Sequence, residues 1–319
     1  MSTTSHRPHR GHLADTPTEV PPRGWKDIAR RVVAETSDDR VLLVAAGVTF
    51  YLLLALAPTL AAFVSLYGLF FDTGSIQEHM AVLQGIVPDG GMTILQDQID
   101  RLVSTDQGTL GFAFVLSLAV ALWSATSGMK SLFEAMNVAY DENEKRGFVG
   151  LTLQAFAMTV VTMAGAIALI TTDIVLSAVL GASGGVIATI VTAALGLLAL
   201  VLFMAALYRY GPSREAPEWA WITPGAILAA ICIVLVSVAF SFYVSNFGTY
   251  NETYGSLGAV VGFLTWLWLT LTVLILGAEL NSEMEHQTAR DTTTGQDEPM
   301  GQRGAVMADK VARPSTDAH

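Results

Sequence analysis

Apolar residues in this chain arrive in long runs that contain no Asp, Glu, Lys or Arg. They cover 41–71, 107–129, 147–172, 174–208, 219–251 and 253–278. A helix crossing the hydrocarbon core of a bilayer needs roughly 20 mainly apolar residues. The run from 174 to 208 is too long for one comfortable span. Its Gly181-Ala182-Ser183-Gly184-Gly185 cluster reads as a hairpin turn. The pattern therefore predicts an all-α, polytopic membrane bundle with spans at about 41–71, 107–129, 147–178, 186–208, 219–247 and 255–279. Helices are expected because backbone groups in lipid must pair within a segment or a closed barrel, and these runs are too long for barrel strands.

Between and before the spans the pattern turns amphipathic. Trp25, Ile28, Val32 and Val33 recur at near-helical spacing beside Lys26, Arg30, Arg31 and Arg40, which predicts a lead-in helix on the inner membrane surface. In the 72–106 loop, Ile76, Met80, Leu83, Ile86 and Val87 share one helical face. A turn at 88–91 follows, and Leu95, Ile99, Leu102 and Val103 form a second such face. The ends, 1–24 and 286–319, are polar and without period, and are expected to be disordered cytoplasmic tails. The first 40 residues do not read as a cleavable signal.

Charge gives the orientation. Of 17 Lys and Arg residues, 16 fall before the first span, after the sixth, or in the loops 130–146 and 209–214; Arg101 alone falls on the other side. Cytoplasmic loops retain basic residues, so both termini are expected to be cytoplasmic. Composition agrees with lipid as the solvent, at 52% hydrophobic, 14% charged and a mean hydropathy of +0.50. A net charge of −11 offers no basic face for nucleic acid. The single cysteine, Cys232, lies inside an apolar run and allows neither an internal disulfide nor a thiolate metal cage.

Several polar groups interrupt this apolar background. Pro58 removes a helical donor in mid-span and is expected to kink the first helix. Gly258 and Gly262 form a GxxxG pattern suited to close helix packing. The second span ends with Ser124, Thr126 and Ser127, and Lys130, Glu134, Asn137 and Asp141 follow at helical spacing. That edge is either a solvated helix end or the lining of a path, so Ser124, Thr126, Ser127, Glu134 and Asn137 are candidates for solute contact. The fifth span ends in alternating rings and amides, where Tyr243, Asn246, Tyr250, Asn251 and Tyr254 are further candidates beside the simpler reading of an interfacial aromatic belt. Asp173 and Glu279 are the acids nearest apolar helix ends, and are candidates for proton coupling or boundary residues facing water.

Enzyme signatures are absent. The sequence has no glycine-rich phosphate loop, no His-Glu-x-x-His, no Gly-x-Ser-x-Gly and no Cys-x-x-Cys. His6, His9 and His12 lie three apart in a polar tail without a scaffold, so no metal site and no cofactor is expected.

Three stretches carry a family resemblance. They are Ala45-Ala46-Gly47-Val48-Thr49-Phe50-Tyr51 through Pro58; Leu122-Trp123-Ser124-Ala125 through Tyr140-Asp141 with Arg146-Gly147-Phe148; and Pro224-Gly225-Ala226 through Tyr254-Gly255-Ser256-Leu257-Gly258 to Gly277-Ala278-Glu279-Leu280-Asn281. The chain resembles the YihY/BrkB family of bacterial inner-membrane proteins over about residues 25–285. The resemblance implies a six-helix fold in the bacterial inner membrane and no settled activity. Some members carry a ribonuclease label, which the absence of a basic groove and of a soluble carboxylate cluster argues against here.

The expected function is transport or export of a small polar solute or a lipid-linked molecule. A membrane-embedded enzyme and a structural scaffold are the alternatives. Membrane lipids are the expected partners, nucleic acid is not, and a homo-oligomer is allowed.

Overall fold

The computed structural model describes residues 10–67, 89–104, 112–180, 185–247 and 256–312. Within them the chain is helical: α1 Pro22–Asp38, α2 Val41–Tyr67, α3 Asp89–Ser104, α4 Phe112–Ala139, α5 Phe148–Leu180, α6 Gly185–Tyr210, α7 Trp219–Phe247 and α8 Ser256–Glu285. Among the described residues there is no strand, only one β-bridge between Pro217 and Thr293. Five helices are long and apolar enough to cross a membrane: Val41–Tyr67, Phe148–Thr172, Thr189–Tyr210, Trp219–Val244 and Gly258–Glu285. α4 covers the remaining predicted span and runs on through Lys130 and Glu134 to Ala139.

Only 17–33% of the most apolar window of each of these five helices is buried inside the chain. Leu54, Val120, Leu153, Ile190 and Leu235 stand outward. Such a surface needs lipid, since soluble monomers do not leave apolar patches of this extent in water. The chain is a helical membrane protein.

Successive long helices are neighbours, α4 beside α5, α5 beside α6, α6 beside α7 and α7 beside α8, and α8 returns to pack on α2, which in turn packs on α4. A contact between α4 and α8 crosses this ring. Small residues permit the closest approach of α2 and α4: a Cβ on Gly128 would lie 3.0 Å from Leu52 Cδ2 and 3.1 Å from Ala55 Cβ. The expected GxxxG approach is not made at Gly262, around which a Cβ would meet nothing within 4 Å. α8 makes its close crossing lower down, at Gly277, where a Cβ would lie 2.4 Å from the Tyr208 hydroxyl and 2.8 Å from Ala229 Cβ.

The lead-in helix forms as α1, but its apolar side is committed to protein. Ile28, with Trp25 and Val32 beside it, packs on Trp221 of α7 and on Met284 and Leu280 of α8, while Val33 is exposed. Of the two amphipathic helices expected in the 72–106 loop, the second is α3, whose Met92, Leu95 and Ile99 pack on Val64 and Tyr67 of α2. It begins at Asp89, inside the expected turn. The first lies outside the described residues.

The terminal segments differ from expectation. Within 10–24 and 286–312 the chain is folded onto the helix ends. Ala289 N donates to His12 O at 2.9 Å, Thr288 Oγ1 to Ala14 O at 2.8 Å and Val306 N to Glu142 Oε1 at 2.7 Å. Ala305, Met307, Ala308 and Ala312 are buried. These contacts come from scattered small residues and side chain to backbone bonds, so the sequence shows no period that would announce them.

Candidate functional site

Five polar side chains in the last two turns of α8, Glu279, Asn281, Ser282, Glu283 and Glu285, are each at most 1% exposed. Ionised groups are buried only when paired or when they do work. Pro224 of α7 lies next to the point where α7 meets them. It supplies no N–H to its own helix, and two backbone groups beside it meet α8: Asn281 Oδ1 accepts from Gly225 N at 2.9 Å and Asn281 Nδ2 donates to Ile222 O at 3.1 Å.

Two of the three carboxylates have arginines. Arg31 of α1 pairs with Glu283 through Nε, and its Nη2 also reaches Glu283 O at 3.0 Å and Gln287 Oε1 at 2.9 Å. Arg214, from the loop between α6 and α7, pairs with Glu285 at 2.5 Å with both side chains fully buried, and Thr292 Oγ1 donates to Glu285 at 2.8 Å. The Arg214 guanidinium lies 4.9 Å from the centre of the Tyr140 ring.

Glu279 has no such partner. Both carboxyl oxygens are buried and neither meets a hydrogen-bond donor. The charges around it are carboxylates: Asp39 and Glu35 from α1 and the turn after it, and Glu283 one turn along α8. Asp39 is close enough to interact without forming a well-made hydrogen bond. Burial raises the Asp39 carboxyl above its ordinary value; the Glu279 side chain opposes this, and Asp141, Asp38 and Glu283 add to it. Glu35 is raised in the same way, first by burial and then by Glu283, Asp39, Asp141 and Asp38. An acidic group of graded burial thus leads from the end of α1 to Glu279. Arg40 turns the chain from α1 into α2 with φ of 51°, a left-handed conformation unusual for a residue with a side chain.

The residues expected along the second span do not converge. Thr126 gives its hydroxyl to Leu122 O of its own helix at 2.7 Å, Ser124 is half-buried, and Ser127 and Glu134 are exposed. Lys130 bonds Thr152 of α5 at 2.7 Å rather than Glu134. Asn137 is buried and holds loops together: its Oδ1 accepts from Ser213 N at 2.7 Å and its Nδ2 donates to Glu144 at 3.1 Å. Tyr243 is exposed at the far end of α7. Tyr250, Asn251 and Tyr254, and the side chains of Asn246 and Asp173, lie outside the described residues. Pro58 sits inside an unbroken α2. Among the described residues no three His, Cys, Asp or Glu side chains are grouped to hold a metal ion.

Glu35, Asp39, Arg214 and Glu285 were not singled out by the sequence, and Arg31 and Tyr140 stood out only as a cation of the lead-in helix and as part of a stretch carrying the family resemblance. The available signal was the charge content of Glu279-Leu280-Asn281-Ser282-Glu283-Met284-Glu285, packed directly against an apolar run. At 3.6 residues per turn Glu285 stands about 120° round the helix from Glu279 and about 160° from Glu283, so the three acids do not share one narrow face.

Comparison with known proteins places the chain. The family model described as Virulence factor BrkB matches residues 32–301. The chain belongs to this BrkB family. A Bacillus subtilis relative named as ribonuclease-like protein YfkH is 29% identical over 74% of this chain and 87% of its own length. UPF0761 membrane proteins are similar too, from Rhodospirillum centenum at 26% identity over 95% of this chain and 66% of the relative, and from Neisseria meningitidis at 27% over 80% and 62%. The chain therefore spans somewhat under two thirds of the UPF0761 relatives it matches. No solved structure matches. The stretches holding Gly225, Gly277, Glu279 and Asn281 fall within the family match.

Proposed function

We propose that this BrkB-family protein is a transporter of the bacterial inner membrane, with both termini cytoplasmic, that moves a small polar solute or a lipid-linked molecule. Glu279 is its proton-carrying group. The observation that carries the reading is the Glu279 carboxyl, buried in a membrane-crossing helix with no donor on either oxygen. An unpaired carboxyl of this kind loses its charge most cheaply by binding a proton, and carboxyls within membrane segments mark ion pathways and proton relays. Asp39 and Glu35 supply the route to water, each raised by burial and by its acidic neighbours so that it exchanges protons closer to neutrality than a free carboxyl. The ribonuclease-like label is the name of the Bacillus relative and is not carried to this chain.

Proteoliposomes holding the full chain and a trapped pH dye test the reading. Under an imposed pH gradient, and with a panel of amino acids, polyols and sugars supplied in turn, wild-type vesicles should show solute-dependent proton flux. Glu279→Gln should abolish it and Glu279→Asp should retain part of it. Equal flux in wild type and Glu279→Gln, or no flux above protein-free vesicles with any solute, would overturn the proposal.

A further inference from the structure

Where α5 begins and α6 ends, the chain forms an open pocket of about 400 Å³ whose lining includes Lys145, Arg146, Arg209 and Arg214, with Glu215 its one acid. Three of the four cations are already matched. Lys145 pairs with Glu142 at 2.8 Å, Arg146 with Glu144 at 2.6 Å, and Arg214 with Glu285 at 2.5 Å. Arg146 also closes the end of α6, donating to Gly211 O at 2.8 Å, and Gln154 Nε2 donates to Tyr210 O at 2.6 Å. The exposed carbonyls that would repel an anion there are thus occupied.

Arg209 is different. It forms no ion pair among the described residues; its Nη1 donates to Pro217 O, and its Nε is buried with no acceptor. Its guanidinium lies 4.8 Å from the centre of the Trp219 ring and 5.6 Å from that of Tyr210. Those rings, each about half exposed, mark the level at which a bilayer gives way to water. A guanidinium beside two rings that lines the pocket and has no carboxylate among the described residues is a cation prepared for an anion from outside the chain. Beside it, Lys145 is 54% exposed and its ammonium has donors to spare after Glu142. We propose that this pocket binds a phosphate-type anion at the membrane surface, with Arg209 as the principal donor and Lys145 as the second. The site stands apart from Glu279 and does not depend on the transport reading.

The full chain in neutral detergent, followed by native mass spectrometry, tests this with phosphatidylglycerol and phosphatidylcholine as lipid probes and inorganic phosphate as the soluble one. Phosphatidylglycerol should be retained over phosphatidylcholine, with at least tenfold weaker retention in Arg209→Gln and a few-fold loss in Lys145→Gln. Competition by millimolar phosphate would show that the pocket reads the anion whatever its source. Retention of phosphatidylglycerol without competition would assign it to lipid. Phosphate binding without lipid selectivity, lost in the variants, would assign it to a soluble ligand. Arg209 also caps Pro217, so should Arg209→Gln fail to fold, the exposed Lys145→Gln variant decides. Binding unchanged in the folded variants, or neither retention of phosphatidylglycerol over phosphatidylcholine nor binding of inorganic phosphate, overturns the proposal.

Discussion

Asn281 on α8 holds α7 at Gly225, accepting from the Gly225 amide at 2.9 Å while donating to Ile222 O at 3.1 Å. The two helices meet so closely that a Cβ on Gly225 would lie 2.2 Å from Gly277 O and 2.3 Å from Asn281 Oδ1. Backbone stands in the way, so Gly225→Ala must push the helices apart. The expected cost is about 1–3 kcal/mol, as for other overpacked cores. Asn281→Ala removes two buried hydrogen bonds between the helices and should cost about 1–3 kcal/mol as well. Thermal unfolding of both variants in detergent checks this, and a wild-type midpoint for Gly225→Ala would contradict the crossing geometry.

The six long helices were legible because the absence of water in lipid forces a simple rule, one apolar run per span. The contacts that shape the candidate site were less so. Glu279 could be seen as an acid beside an apolar run, but its burial follows from α1 returning against α8 and from the close crossing of α7 and α8 at Gly225 and Gly277, neither of which has a local signature. Asn137 has the composition of a lining residue, yet it binds the loop amide of Ser213 76 positions away. The folded terminal segments were missed for a related reason. Their order rests on single polar side chains meeting backbone groups, such as Thr288 on Ala14 O, and a composition argument averages such contacts away.

Arg214 and Glu285 form a fully buried pair at 2.5 Å. Removing either partner strands the other charge, and Arg214→Met or Glu285→Leu alone should cost about 3–5 kcal/mol. The double variant should be less damaged than either single one, because no charge is left uncompensated. Burial acts against the Arg214 charge, and Glu285, Tyr140 and Glu142 more than restore it. A double-mutant cycle on thermal midpoints gives the answer, and additive losses would show that the two residues do not act as a pair.

Glu144 sets an acid limit on the loop between α4 and α5. Hydrogen bonds from the Arg146 side chain lower its carboxyl to about 2; burial opposes this, and the Arg146 amide and Asn137 assist. Because the folded value lies below the ordinary 4.5, the stabilisation is complete above that pH and is lost as pH falls from 4.5 towards 2. Amide exchange across 142–147, corrected for intrinsic rates, should rise over that window. Glu144→Gln should have faster exchange at neutral pH and lose the acid dependence.

Arg303 gathers the C-terminal segment around one guanidinium. Its Nη1 donates to Arg290 O at 3.0 Å and Ala308 O at 2.6 Å, its Nη2 to Ala289 O at 2.9 Å and its Nε to Glu298 O at 3.1 Å. Four carbonyls that no periodic structure would satisfy depend on this side chain, so Arg303→Ala should unlatch the segment while the helices stay folded. With a loss of about 1–3 kcal/mol for the stranded acceptors, the open population rises roughly five- to 150-fold, and cleavage by trypsin at Arg290 should accelerate in proportion while opening remains fast relative to cutting. The thermal midpoint of the bundle should move little, since these residues pack on the helix ends and not between the spans. An unchanged cleavage rate would mean that the segment is held by its contacts to 10–24, such as Ala289 N on His12 O, and the paired variant Arg303→Ala with Thr288→Ala would then separate the two anchors.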